Sequence, residues 1–123
     1  PPQARVALIV DDQPAAQKMY QRYLSRTDLE VVGLTDPAAA VSTARQVQPA
    51  LLILDVMMPR LDGWEVLQAL QLDPQTRHIP VVVCSAWGEP ELARSLEAAA
   101  FLKKPVIQKD LLDVLTRLNI ISG

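Results

Sequence analysis

A single cysteine, Cys84, rules out any disulfide within this chain of 123 residues. Its place inside the apolar run VVVC marks it as a small buried hydrophobe rather than a nucleophile or ligand. Aromatic residues are scarce as well, two Trp, two Tyr and one Phe, so aliphatic side chains must build the core. No apolar stretch approaches the roughly 20 residues that a membrane-spanning helix needs. The N-terminus carries no basic-then-apolar signal segment, and a cytoplasmic location is the expectation. Excess charge is missing too: twelve Lys and Arg against fourteen Asp and Glu leave a formal −2, with the basic residues scattered. A nucleic-acid-binding surface needs a basic patch or stripe, so direct binding of DNA or RNA by this domain is not expected.

What is present suffices for one core. Half of the residues are hydrophobic and 21% are charged, the balance of a single soluble domain. It is expected to span residues 1–123, with a core from about residue 5 to about residue 119 and no output domain after the last helical pattern. A start at Pro1-Pro2 without methionine suits a module cut from, or processed out of, a longer protein, and initiator removal before proline would also explain it.

Short apolar runs alternate with amphipathic segments along the whole chain. Strands are expected at Val6–Val10, Val31–Leu34, Leu51–Leu54, Ile79–Cys84 and about Ala100–Leu102. Helices are expected near Pro14–Ser25, Pro37–Gln46, Gly63–Leu72, Pro90–Ala99 and Lys109–Leu118. Pro14, Pro37 and Pro90 each open a helix, where a missing N–H costs nothing, and Asp36 is a good N-cap. Ala16, Met19, Tyr20, Tyr23 and Leu24 form an apolar stripe on the first helix; Leu111, Leu112, Leu115 and Leu118 form one on the last. Five strands and five helices in strict alternation, with strands too apolar to face water on either side, predict an α/β fold. It is a doubly wound parallel sheet with helices on both faces.

The polar residues fall on one edge of that sheet. Asp11 and Asp12 close the run VALIV, Asp55 closes LLIL, Ser85 ends the fourth strand and Lys104 follows the fifth. Open α/β sheets place their ligands beyond the carboxyl ends of their strands. Three acids gathered there repel one another, and a hard divalent cation is their natural neutraliser.

The chain resembles the receiver domains of two-component response regulators. The resemblance is carried by VDDQP at Val10–Pro14, LDVMMPRLDGWEVL at Leu54–Leu67, CSA at Cys84–Ala86 and FLKKP at Phe101–Pro105. It implies a flavodoxin-like (βα)5 domain with strand order 2-1-3-4-5, transient phosphorylation of an aspartate and a partner-facing surface that changes with it. The implied partner is a sensor histidine kinase or a histidine phosphotransfer protein. A homodimer or an intramolecular output partner stays open. Such a domain assists its own phosphorylation and dephosphorylation and is not a turnover enzyme.

Asp55 is the candidate nucleophile, since a carboxylate can attack a phosphoryl group and form an acyl phosphate. Asp12, Asp55 and a backbone carbonyl just beyond Asp55 supply oxygen ligands for Mg²⁺ or Mn²⁺, with Asp11 reaching the ion through water. By resemblance, that carbonyl belongs to Met57. Lys104 can place an ammonium on one phosphoryl oxygen and Ser85 a hydroxyl on another. Resemblance also implies a switch formed by Ser85 and Phe101, control of water access by Met57 and Trp87, and a cis peptide bond at Lys104–Pro105.

Each residue has a plainer role to weigh. Asp11 and Asp12 could cap the helix opening at Pro14, but capping needs one acid. Ser85 could simply turn the chain, Lys104 could be half of a solvated lysine pair with Lys103, and Phe101 could be core. His78, in the loop QTRHIP, is expected to be exposed, and Asp62-Gly63 to be a turn that starts the third helix. The chain departs from the family between Ser85 and Phe101, where it is a few residues short and carries Ala98-Ala99-Ala100 for the usual Gly-Ala pair. Three other functions share part of this pattern. A flavin-binding relative would need a phosphate-cradling Ser, Thr and Gly-rich loop where DDQPAAQ stands. A haloacid-dehalogenase-like phosphatase would need D-x-D after the first strand, and an interaction module no longer regulated by phosphorylation would be expected to lose an acid or the lysine.

Overall fold

The computed structural model describes residues 5–58, 61–87 and 89–122, with backbone alone for Met58 and Leu61. Five strands, β1 (Arg5–Val10), β2 (Leu29–Leu34), β3 (Leu51–Asp55), β4 (Val81–Ser85) and β5 (Ala100–Lys103), form one parallel sheet in the order 2-1-3-4-5. The connections are α1 (Pro14–Tyr23), α2 (Ala40–Val47, entered through a 3-10 turn at Pro37–Ala39), α3 (Gly63–Leu72) and α4 (Pro90–Ser95). The last helix is α5 (Gln108–Arg117).

Alternation along each strand divides the core into two layers. Ala7, Ile9, Leu51, Ile53, Val82 and Cys84 pack with Tyr20 of α1, Leu24 just after it, and Leu111 and Leu115 of α5. Leu8, Val10, Leu52, Leu54, Val81 and Val83 pack with Ala40, Ala44, Val66, Leu67 and Leu70 of α2 and α3. Burial on both faces is why these strands read as unbroken apolar runs.

Most boundaries move from the sequence expectation by one or two residues, and two of the shifts have clear causes. β4 begins at Val81 rather than Ile79, because Pro80 has no N–H for the ladder and the Ile79 amide closes a turn onto Thr76 O at 3.0 Å. The fourth helix, expected to reach Ala99, stops at Ser95. Glu97 adopts a left-handed backbone (φ 63°), and the amides of Glu97 and Ala98 turn back onto Arg94 O and Ala93 O at 3.0 and 2.9 Å. That is a Schellman stop with Glu where glycine is usual, so the sequence gives no glycine to mark it. A two-stranded antiparallel ribbon, Met57–Met58 with Leu61–Asp62, was not expected. The Lys104–Pro105 bond is cis, as the family resemblance implied.

The ribbon delivers the chain to α3 through Asp62, whose Oδ1 accepts the Trp64 amide at 2.9 Å, and through Gly63. A Cβ on Gly63 would lie 2.2 Å from Val56 Cα and 2.9 Å from Asp55 O, so the helix start presses directly on the backbone after Asp55. Neither neighbour is a movable side chain. Gly63→Ala is therefore expected to lower stability by about 1–3 kcal/mol, the range for forced overpacking, read as an earlier urea midpoint. An unchanged midpoint would mean that the segment after Asp55 yields freely.

Candidate functional site

Parallel register gathers the chemistry-bearing residues at the carboxyl edge of the three central strands and β5. Val10 pairs with Leu54, so Asp11 follows β1 beside Asp55, the last residue of β3. Asp55 pairs with Cys84, and Ser85 with Lys103, which sets Ser85 and Lys104 next to it. Carboxylate oxygens of Asp11, Asp12 and Asp55 all lie within 4.8 Å of one another.

Lys104 closes the cluster. Its Nζ donates to Asp11 Oδ2 at 3.1 Å and to Asp55 Oδ2 at 3.2 Å, while its backbone amide holds Ser85 O at 2.8 Å. The other oxygen of each acid is held by a local turn: Asp11 Oδ1 accepts the Gln13 amide and Asp55 Oδ1 the Met57 amide, both at 2.9 Å. Asp11, Asp55 and Ser85 are buried, whereas Asp12 is half-buried and open to a ligand. Ser85 Oγ accepts the Trp87 amide at 3.1 Å, which leaves its proton available for donation.

Burial pushes the Asp11 carboxyl above the ordinary aspartate range, opposed by the Gln13 amide and by Lys104 and reinforced by the charge of Asp55. Burial pulls the Lys104 ammonium the other way, yet Asp11 and Asp55 outweigh it and hold the amine protonated above its ordinary range. The Lys104 shift reflects one cation serving two buried carboxylates, whereas the Asp11 shift is set first by burial. The residual negative charge, presented by oxygens alone, fits a hard divalent cation such as Mg²⁺ or Mn²⁺. Cys84, on β4, adds no softer ligand to the cluster, since it is fully buried and its thiol is pushed up to about 12, chiefly by burial.

The remaining candidates surround this cluster. Met57 and Trp87 are large exposed apolar residues, 48% and 66% accessible, one in the turn after Asp55 and the other in the turn after Ser85. Phe101 is half-buried against the α2/α3 layer and lines a cavity of about 270 Å³ with Pro90, Ala93 and Arg94 beside the short α4. His78 is exposed and bonds Gln48 Oε1 at 2.8 Å, away from the acids. One residue of the site escaped the sequence reading. Gln17 is buried under the Asp11 loop and its Nε2 donates to the carbonyls of Ile9, Asp11 and Leu34. The signal was a polar residue three positions before Tyr20 and seven before Leu24, on the apolar side of α1.

Known proteins carry the same arrangement of elements. Response regulator PleD of Caulobacter vibrioides is 39% identical over 102 residues, which is 80% of this chain and 22% of PleD. The chain thus spans about a fifth of the length of that relative. The structure of chemotaxis protein CheY4 of Vibrio cholerae superposes with a TM-score of 0.83 at 26% identity, covering 94% of this chain and 98% of CheY4. The manganese-bound form of response regulator Rcp1 superposes at 0.76 with 28% identity, covering 94% and 91%. The model of the response regulator receiver domain matches residues 7–116, a span that contains the three acids, the serine and the lysine of this edge, and the chain belongs to that family.

Proposed function

We propose that Asp55 is the phosphoacceptor of this receiver domain, taking a phosphoryl group from a phospho-histidine on a sensor histidine kinase or a histidine phosphotransfer protein. The observation that carries the reading is the single ammonium of Lys104 bridging two buried carboxylates, Asp11 and Asp55, beside a third acid. An Asp55 oxygen attacks phosphorus, the O–P bond forms as the N–P bond to the donor imidazole breaks, and the imidazole leaves neutral after taking up a proton. Lys104 is placed to move from the Asp55 oxygen onto a phosphoryl oxygen, and Ser85 to donate its free proton to another. Asp12 and Asp55, with the Met57 carbonyl, would hold Mg²⁺ or Mn²⁺, and Asp11 would steady it through water; the clustering of the three carboxylates supports an ion here, and the similar Rcp1 has been seen in a manganese-bound form. The ion supplies neutralisation, without which two anions do not approach. The domain contributes positioning and charge to its own modification and turns over no external substrate. Phe101, next to a cavity and behind Ser85 on the adjoining strand, would report the modification to the α4–β5 surface.

Beryllofluoride with Mg²⁺ tests this directly, because it imitates the acyl phosphate. One saturable, Mg²⁺-dependent site read by fluorine resonance is expected. Absence of binding would favour an interaction module that phosphorylation no longer regulates.

Met57 and Trp87 flank the acceptor with largely apolar surface, and neither side chain offers a strong acceptor for a proton of an attacking water: the Trp87 indole only donates and the Met57 thioether accepts weakly. Loss of phosphate is expected to be slow. Trp87→Glu supplies an acceptor at the rim and is expected to speed the loss roughly tenfold, below the usual contribution of a positioned general base. A variant rate at or below the parent rate would remove Trp87 from this role.

A further inference from the structure

We infer that Gln17 is a positioning residue for the acids at the end of β1, and that it ties their backbone to the edge strand β2. Its Nε2 lies 3.0 Å from Ile9 O, 2.9 Å from Asp11 O and 3.3 Å from Leu34 O. Three acceptors around one amide nitrogen fix the orientation of the amide, since the reverse would set oxygen against three oxygens. Two N–H groups serve the two short contacts and share the third. The other end of the amide is fenced as closely: Oε1 is buried with no hydrogen-bond partner among the described residues, and a Cβ on Gly33 would lie 2.5 Å from it. Only the Cα–H of glycine fits there, in the place of a weak donor.

Asp11 is thereby held at every polar atom. Its amide bonds Leu34 O at 3.1 Å, its carbonyl takes Gln17, and its side chain takes Gln13 and Lys104. A glutamine whose three acceptors come from β1, the acid loop and the end of β2 does more than fill space. It sets where Asp11 and Asp12 stand relative to Asp55, and a methyl group on Gly33 of β2 reaches the acids by displacing it.

The inference rests on the proposed metal-binding role of the acids, and its test separates the two. Mn²⁺ is titrated into the folded chain, with free ion counted by electron paramagnetic resonance. Gln17→Met keeps the bulk and removes the donors, and is expected to weaken Mn²⁺ about tenfold, the low end for loss of an outer hydrogen-bond partner of a metal site. Gly33→Ala is expected to weaken it in the wild type and to have no further effect in Gln17→Ala, where the added methyl enters vacated space. Unchanged affinity in Gln17→Met, or an equal loss from Gly33→Ala in both backgrounds, would overturn the positioning role. Hydrogen exchange at the Gln13 amide, which Asp11 Oδ1 holds, reads the clamp without metal. Faster exchange in Gln17→Met and Gly33→Ala supports the inference even if the wild type binds no Mn²⁺; unchanged exchange in both overturns it. Should Gln17→Met fail to fold, Gly33→Ala carries both readouts.

Discussion

Asp55→Asn is expected to gain no phosphoryl group when incubated with acetyl phosphate and Mg²⁺, under conditions in which the wild-type chain gains one. The substitution is nearly isosteric and spares the local structure. Asparagine Oδ1 can still accept the Met57 amide that Asp55 Oδ1 accepts at 2.9 Å, and the loss of one negative charge relieves a cluster that has one cation for its acids. What disappears is the nucleophile, because a neutral amide oxygen does not form an acyl phosphate. Intact-mass measurement checks it: the added phosphoryl mass should fall to background in the variant and also in wild type stripped of divalent ions. Label persisting on Asp55→Asn at the wild-type level would assign the modification to another residue. Folding of the variant is verified by its urea midpoint, so a dead protein is not mistaken for a missing acceptor.

The site was legible in the sequence because its logic is one of strand ends. A short apolar run that stops abruptly at Asp55, flanked by helical patterns, reads as a strand buried on both faces, and parallel strands in alternation with helices bring all such ends to one edge. The order of the strands came from the resemblance, not from periodicity, which is silent about which strands are neighbours. Where the reading fell short, the deciding contacts were of kinds that a hydropathy pattern does not carry. Glu97 ends α4 by adopting a left-handed backbone that glycine normally signals, so the helical pattern runs four residues past the true end of the helix. The ribbon at Met57–Met58 and Leu61–Asp62 is two residues per strand, too short for alternation to register. Gln17 is silent in the sequence because glutamine is ordinarily solvent-facing, while its burial depends on three carbonyls contributed by segments up to 17 positions away.

Lys104→Met is expected to destabilise the metal-free domain by about 2 kcal/mol at neutral pH, with a pH dependence that identifies the cause. Removing one partner of a buried ion pair typically costs about 3–5 kcal/mol, and the figure is reduced here because the Lys104 side chain is 26% accessible. Methionine retains most of the apolar stem, so the loss is one of charge. Asp11 and Asp55, both nearly inaccessible, would remain as uncompensated anions. The signs follow from the two shifts. Burial raises the Asp11 carboxyl, so the cost of charging it grows as pH rises above the ordinary 3.8 and is complete above the raised folded value, and acidification removes it by protonating the group. Lys104 is raised above 10.5 in the fold, so its stabilising contribution is complete below 10.5 and is lost only as pH climbs through the higher folded value. The difference between wild type and Lys104→Met is therefore expected to be small in acid, to grow as pH rises through the carboxylate range, to stay level across neutrality and to shrink in strong alkali. Urea midpoints measured across pH supply the curve. Mg²⁺ gives an independent readout, since a ligand that binds the native state stabilises it according to its concentration over its dissociation constant, and the ion in Lys104→Met meets two anions no longer neutralised by the amine. Added Mg²⁺ is thus expected to raise the midpoint of the variant more than that of the wild type. A Lys104→Met domain as stable as the wild type at every pH, with the same response to Mg²⁺, would show that the acids are satisfied without the ammonium.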